Sequence, residues 1–213
     1  MNKQIADIRN EYARHTLSKK DVQADPMKQF NIWFEEALQS ELPEPTAMTL
    51  STADRTYRAT SRIVLMKDIR EDGLVFYTNY NSRKGQQLQE NPLASLLFFW
   101  PELERQIRFE GKVEKLSPET SDAYFASRPR GSKIGAWASD QSSEIPSRTF
   151  LEQRSKELEN QFDSNSIPRP AHWGGYILKP ETVEFWQGRP SRLHDRIQYS
   201  LENDKWIIRR LAP

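Results

Sequence analysis

Hydrophobic and polar positions divide the chain into two kinds of text. Residues 1–20 are polar, with Ile5, Ile8 and Tyr12 at helical spacing. That spacing suits a short helix that folds over a ligand, and equally a frayed, mobile terminus. Asp25-Pro26 then offers an N-cap followed by proline at the first helical position, ahead of an apolar stripe of Phe30, Trp33, Phe34, Ala37 and Leu38. A helix is predicted there, ended by Pro43 and Pro45. From Ala47 onward alternation replaces helical spacing. Strands are predicted over 47–52, 57–67, 74–78 and 95–99, with turns at Asp54-Arg55 and Asp72-Gly73. A helix-like stretch follows Ser82 and stops at Asn91-Pro92.

Gln106 to Leu116 reads as a further strand, with Ile107, Phe109, Gly111 and Val113 on one side. Ser117-Pro118-Glu119 opens a helix, Ile134 to Ala138 extends the helical region, and a charged helix is predicted from about Ser147 to Phe162. The stiff connection Ile167-Pro168-Arg169-Pro170 leads to strands at 173–178 and 206–210. The sum is a mainly β chain with flanking helices (α+β), and long antiparallel strands in a meander favour a closed or nearly closed barrel. A length of 213 residues suits one domain over 1–213.

Composition narrows the chemistry. The hydrophobic fraction is 36%, partly offset by six Trp, seven Tyr and ten Phe, which also serve as platforms for flat ligands. A formal net charge of +1 supplies no global field for nucleic acid or an acidic membrane, so any anion site must be local. No cysteine is present, which removes disulfides and thiolate metal sites and suits a reducing cytosol. With no apolar signal core and no run long enough to span a bilayer, a soluble cytoplasmic protein is expected. His15, His172 and His194 lack ligand spacing, so no metal is expected. Walker, GxGxxG and nucleophile-elbow motifs are absent as well, leaving the hard chemistry to an organic cofactor.

The densest chemistry lies between Val183 and Arg196, where Trp186, Arg189, Arg192, His194, Asp195 and Arg196 crowd together. Val183 and Phe185 alternate with Glu184 and Trp186 as in a strand, and Gly188 with Pro190 marks a turn. If the chain is extended beyond that turn, Arg192, His194 and Arg196 share one face and suit an anionic ligand that exchanges protons. A solvated strand edge would look the same.

This stretch resembles the signature of the pyridoxine/pyridoxamine 5'-phosphate oxidase family: an apolar residue, Glu, an aromatic, Trp and Gln, four variable positions, then Arg, an aliphatic, His, an acidic residue and Arg. The likeness extends to Arg62–Lys67, Phe76-Tyr77-Thr78, Ser82-Arg83-Lys84, Gln106-Ile107-Arg108 and the closing Arg209–Pro213, and so covers nearly the whole chain. It implies an FMN-binding split β-barrel that assembles as a homodimer, each flavin held by both chains. The implied reaction is oxidation of pyridoxamine 5'-phosphate and pyridoxine 5'-phosphate to pyridoxal 5'-phosphate, with O2 as acceptor and H2O2 as product. The signature would lie in a C-terminal part, 173–213.

The resemblance assigns Arg62, Lys67, Tyr77, Thr78, Arg83, Lys84, Gln106, Gln141, Ser142, Trp186 and Arg196 to the cofactor. To the substrate it assigns Arg9, Tyr12, Lys67, Tyr124, Arg128, Ser132, Arg192 and His194, the last two on the reacting face. Some of this can be weighed on the residues. Arg83 and Lys84 at a helix start make a ready phosphate site, though such a triplet often lies on a solvated surface. Tyr124 and Arg128 are four apart, hence helical neighbours, and Ser132 continues the line if the helix does. Arg62 and Lys67 have opposite strand parity, so both reach one ligand only if the strand is distorted. Other readings are a split-barrel reductase or flavin-binding protein with a different substrate, and a noncatalytic pyridoxal phosphate carrier.

Overall fold

The structure is a computed structural model that describes residues 11–163 and 166–213. Its first helix, α1 (Pro26–Gln39), begins where the sequence predicts: the Asp25 carboxylate accepts hydrogen bonds from the backbone N–H groups of Met27 and Lys28. It ends earlier than the prolines require, with the Ser40 N–H and hydroxyl both donating to the Ala37 carbonyl. Phe30, Trp33 and Ala37 are buried, whereas Leu38, counted in the stripe, is 57% exposed. The buried stripe is therefore narrower than predicted.

Among the described residues, nine strands form one antiparallel sheet. They are β1 (Ala47–Ala53), β2 (Ala59–Leu65), β3 (Asp68–Arg70), β4 (Gly73–Asn79), β5 (Leu93–Trp100), β6 (Arg105–Lys115), β7 (Trp173–Gln187), β8 (Asp195–Glu202) and β9 (Lys205–Leu211). The spatial order is β2-β1-β5-β6-β7-β4-β3, with β8 on the far half of β7 and β9 on β8. The sheet curls into a half-barrel around a core that α1 closes. Phe30 meets Phe98 and Phe109 at ring separations of 5.1 and 5.0 Å, and Trp33 meets Phe185 edge-on at 5.2 Å. Each such side chain, fully buried, contributes roughly 1.5–3 kcal/mol. The other α-helices among the described residues are α2 (Arg83–Glu90), α3 (Pro118–Ser127), α4 (Arg130–Ala138) and α5 (Arg148–Phe162).

Three departures from the predicted elements matter for the site. The strand expected over 57–67 is shorter: Tyr57 sits in a turn with φ 62°, and β2 ends at Leu65. Lys67 therefore lies between β2 and β3, and the parity argument no longer separates it from Arg62. Second, β7 is one 15-residue strand where two were expected. It survives Pro180 because the β6–β7 register shifts between Glu110 and Gly111 at that level. A Cβ on Gly111 would lie 2.0 Å from the Lys179 carbonyl oxygen, so the irregularity requires glycine. Third, β7 serves two neighbours in turn: its first half pairs with β4 and its second half with β8.

Candidate functional site

Arg62 on β2, Lys67 just beyond it, Tyr77 and Thr78 on β4, and Lys84 on α2 line one cleft of about 330 Å³ together with Tyr124, Arg128, Gln141 and Trp173. Among the described residues, four basic side chains and no carboxylate line it. Arg62, Lys84 and Arg128 are held by neutral oxygens or rings, and Lys67 is exposed. Arg62 donates to the Thr52 and Thr60 hydroxyls at 2.7 and 2.6 Å and to the Leu50 carbonyl at 3.1 Å. Both hydroxyls in turn donate to Oε1 of buried Gln87, at 2.6 and 2.8 Å, which turns their lone pairs toward the guanidinium.

Lys84 follows Ser82, whose hydroxyl caps α2 by accepting from the Gly85 N–H. Its ammonium donates to Gln141 Oε1 at 2.7 Å and Thr78 Oγ1 at 3.1 Å. Burial, and then the neighbouring Arg62, push its pKa down to about 8. Arg83 is exposed beside it, and its backbone N–H donates to Ser142 Oγ at 3.2 Å. Gln141 and Ser142 thus join the Ser82–Lys84 corner from 57 to 59 residues further along the chain.

At the other end of the cleft Tyr77 and Tyr124 stack at 3.8 Å, and Trp173 lies parallel beyond Tyr77 at 5.4 Å. Arg128 rests over Trp173, with Cζ 4.5 Å from the ring centroid. Its buried Nη1 has no hydrogen-bond partner among the described residues, and burial holds its pKa below the usual guanidinium range. Arg128 also lines an adjoining recess of about 260 Å³, which Ser132 reaches.

The predicted line of Tyr124, Arg128 and Ser132 along one helix is not formed. Helix α3 ends at Ser127, Arg128 is extended with φ −70° and ψ 149°, and α4 starts after Pro129. The residue before proline is driven out of the helical region, and here that residue is Arg128. The kink leaves Arg128 between the two, lining the cleft with Tyr124 and the adjoining recess with Ser132.

A second group gathers at the far end of β7. Gln106, Trp186 and Arg196 are consecutive cross-strand partners on β6, β7 and β8. The His194 ring lies 4.5 Å from Trp186, and Tyr12 lies 5.9 Å from Trp186 and 6.0 Å from His194. The segment carrying Tyr12 is pinned where Asp195 accepts from the Leu17 N–H while pairing with Arg210. Arg9 lies outside the described residues.

Here too an expectation fails. Residues Pro190–Arg192 form a 3-10 turn with positive φ at Ser191 and Arg192, and β8 starts only at Asp195. Arg192, His194 and Arg196 therefore do not alternate along one strand face, because proline and two left-handed residues break the period. Arg192 is exposed, His194 sits under the turn, and Arg196 is in the sheet. His194 Nδ1 accepts from the Arg189 backbone N–H at 3.1 Å, which leaves the ring proton on Nε2 in the neutral form. Burial, then the Arg192 charge, lower its pKa from the ordinary histidine value.

Glu184 was not among the predicted site residues, although it stands inside the signature. It is 5% exposed, accepts from Arg196 at 2.7 and 3.0 Å, and accepts from Arg108 at 2.7 Å. Glu184→Ala would leave two guanidinium groups facing one another. Because both are partly solvated, the expected loss is about 2 kcal/mol rather than the 3–5 typical of fully buried pairs. A thermal midpoint lower by roughly 4–8 °C checks it. Thr52, Thr60, Gln87 and Trp173 were also missed, since none carries a sequence signal that separates it from ordinary strand or helix text.

A half-barrel of antiparallel strands with flanking helices, carrying a cationic cleft, defines the class of split-barrel proteins. The fold matches a pyridoxamine 5'-phosphate oxidase-related, FMN binding protein from Nostoc punctiforme PCC 73102 at TM-score 0.71 and 17% identity, over 90% of this chain and all of that one. Residues 34–162 match the family model described as pyridoxamine 5'-phosphate oxidase, and 173–213 match the pyridoxine 5'-phosphate oxidase C-terminal dimerisation region. Pyridoxine/pyridoxamine 5'-phosphate oxidases of Burkholderia thailandensis and Burkholderia mallei are each 57% identical over 98% of this chain and 99% of theirs. The chain belongs to the pyridoxine/pyridoxamine 5'-phosphate oxidase family. It is also similar to PhzG from Burkholderia lata 383, solved with tetrahydrophenazine-1-carboxylic acid, at TM-score 0.90 and 30% identity over 95% of this chain and all of that one. Family membership supports a flavin oxidoreductase. No helix among the described residues is long and apolar enough to cross a membrane.

Proposed function

We propose that the protein is an FMN-dependent oxidase that converts pyridoxamine 5'-phosphate and pyridoxine 5'-phosphate to pyridoxal 5'-phosphate, with O2 as acceptor and H2O2 as product. The observation that carries this reading is the charge of the cleft: among the described residues, four cations line it without a carboxylate, in a chain whose net charge is only +1. The cations also fall into two places. Lys84 and Arg62, with Arg83 and the capped start of α2, suit the phosphate of FMN, while Arg128 with Tyr124 and Ser132 suits the phosphate of the substrate. The residues present fit the cofactor: Lys84 is desolvated against another cation, a cost that a bound dianion would relieve. When bound, the flavin supplies a two-electron acceptor that O2 restores, so amine, O2 and water give aldehyde, ammonia and H2O2.

The chain's own residues would bind and orient. Lys67, at the mouth between the two anion sites, would face both phosphates. Tyr77, Thr78, Gln141 and Ser142 would complete the cofactor side, together with Gln106, Trp186 and Arg196. His194, neutral near pH 7 and with Nδ1 already engaged, would donate its Nε2–H to the substrate, with Arg192 and Tyr12 beside it. Proximity of this kind can supply on the order of 7–11 kcal/mol of rate enhancement.

The two groups of residues cannot meet within one chain. Trp173 and Trp186 lie thirteen residues apart on β7, up to roughly 40 Å at the rise of a strand. A homodimer in which each chain completes the other's site removes the difficulty, and the family's C-terminal dimerisation region supports it. So does the outer sheet face, where exposed Ile63 and Phe99 lie on the same side as Gln106 and Trp186.

The purified protein is expected to be yellow, to bleach when pyridoxamine 5'-phosphate is added without oxygen, and to regain colour with H2O2 on exposure to air. A colourless protein that cannot take up FMN would sink the proposal. A yellow protein that phosphorylated B6 compounds fail to bleach would point to another substrate, as the likeness to PhzG would then suggest.

A further inference from the structure

Arg128 poses a problem of its own. Its guanidinium is half-buried, it is not paired with a carboxylate among the described residues, and Nη1 is left without a hydrogen-bond partner. Backbone geometry does not hold it either, since Arg128 sits at a break between two helices. What it does touch is aromatic. Cζ lies 4.5 Å from the centroid of Trp173 and 5.6 Å from that of Phe125.

Trp173 is itself fixed on several sides. Its ring is 7% exposed, meets Phe125 edge-on at 5.1 Å, and lies within 3° of parallel to Tyr124 and 13° of parallel to Tyr77. Its backbone N–H donates to the Pro170 carbonyl at 3.0 Å. Its carbonyl accepts from Arg169 at 2.6 Å, and Arg169 is anchored to Asp122 on α3. Trp173 thus ties the start of β7 to the helix that carries Tyr124.

We infer that Trp173 is a positioning residue for recognition of the phosphorylated substrate: its ring face holds the Arg128 guanidinium in the cleft in place of a counterion. An aromatic face suits this task better than a carboxylate. It attracts the cation through its quadrupole, yet does not satisfy the guanidinium's hydrogen-bond donors, which remain available to an incoming phosphate. A carboxylate in the same place would occupy those donors and compete with the anion. Trp173 would therefore act directly on binding of the phosphate and reach the cofactor side of the cleft, held by Lys84 and Gln141, only through its stack on Tyr77.

This inference rests on the assignment of Arg128 to the substrate phosphate. The test compares Trp173→Leu and Trp173→Phe with the natural protein, all loaded with FMN. The readouts are KM and kcat for pyridoxamine 5'-phosphate and for unphosphorylated pyridoxamine, the FMN Kd, and the Kd of inorganic phosphate by calorimetry. In Trp173→Leu the KM for the phosphorylated substrate should rise about tenfold, the scale of a partly desolvated cation–π contact. Trp173→Phe should show a smaller rise, and it carries the test if the leucine variant does not fold. KM for pyridoxamine should move little, and the FMN Kd, which Trp173 reaches only through Tyr77, should move less than the KM for the phosphorylated substrate. Equal weakening of both substrates would mark Trp173 as merely structural, and an unchanged KM for the phosphorylated one would remove it altogether. Should the natural protein turn over no B6 compound, the proposed function fails separately. Weaker inorganic phosphate binding in the leucine variant would then still support the inference, and an unchanged or undetectable affinity would overturn it.

Discussion

Arg128→Met should lower kcat/KM for pyridoxamine 5'-phosphate by about 100-fold or more while leaving the unphosphorylated amine nearly unaffected. Hydrogen bonds to charged groups contribute about 1.5–3 kcal/mol each, and a guanidinium can offer two to one phosphate. Among the described residues the donors meet no competing carboxylate in the cleft, and Nη1 is already out of water without a partner. That same desolvation gives the variant a second signature. Removing a half-buried cation that has aromatic contacts but no carboxylate partner among the described residues should leave the ligand-free protein about as stable as before, in contrast to the loss expected from Glu184→Ala. Steady-state kinetics with both substrates, beside thermal unfolding, checks the pair of expectations. Equal turnover of the phosphorylated substrate by Arg128→Met would remove Arg128 from the site.

Lys84→Met should raise the FMN Kd by about 100-fold, the worth of an ammonium lost from a partly desolvated anion site. Recovery of free-flavin fluorescence on dilution measures it. In the natural protein FMN affinity should fall as pH rises through about 8, where the ligand-free Lys84 gives up its proton. Stability of the ligand-free protein should respond in the opposite direction. The folded pKa, about 8, lies below the unfolded value near 10.5, so between these the unfolded chain binds the extra proton. Stability rises with pH wherever the unfolded state holds more protons, so this group's contribution improves from pH 8 to 10.5. Bound FMN would keep the proton on Lys84 and flatten that rise, as would Lys84→Met. A ligand-free protein with no such slope would show that Lys84 is not desolvated.

Much of the fold could be read from neighbours in the chain. The Asp25-Pro26 cap, the Ser82 and Ser117 helix starts and the strict alternation of Ile107, Phe109 and Val113 all appear where the pattern predicts them. Errors fell where proline and left-handed residues override a period. Pro129 broke the helical line of Tyr124, Arg128 and Ser132, and the turn at Pro190–Arg192 broke the strand face of Arg192, His194 and Arg196. At Pro180, between two expected strands, one strand continues because the register shifts opposite Gly111. Sequence spacing identifies these residues but does not say which of two competing local preferences prevails once the sheet packs.

By itself the sequence determined which chemical groups are present and in what local setting: the signature from Val183 to Arg196, the cations near a capped helix, the aromatic surplus, the lack of thiols. Only the tertiary structure decided their company. It joined Gln141 to Lys84, laid Arg128 on Trp173, set Glu184 between two arginines, and parted the Arg62 cleft from the Trp186 group along one strand. Caps and periods depend on residues a few positions apart, whose relative placement the backbone dihedrals already dictate. Which cation faces which ring depends on strand register and on the length of β7, quantities that arise only when the whole sheet is assembled.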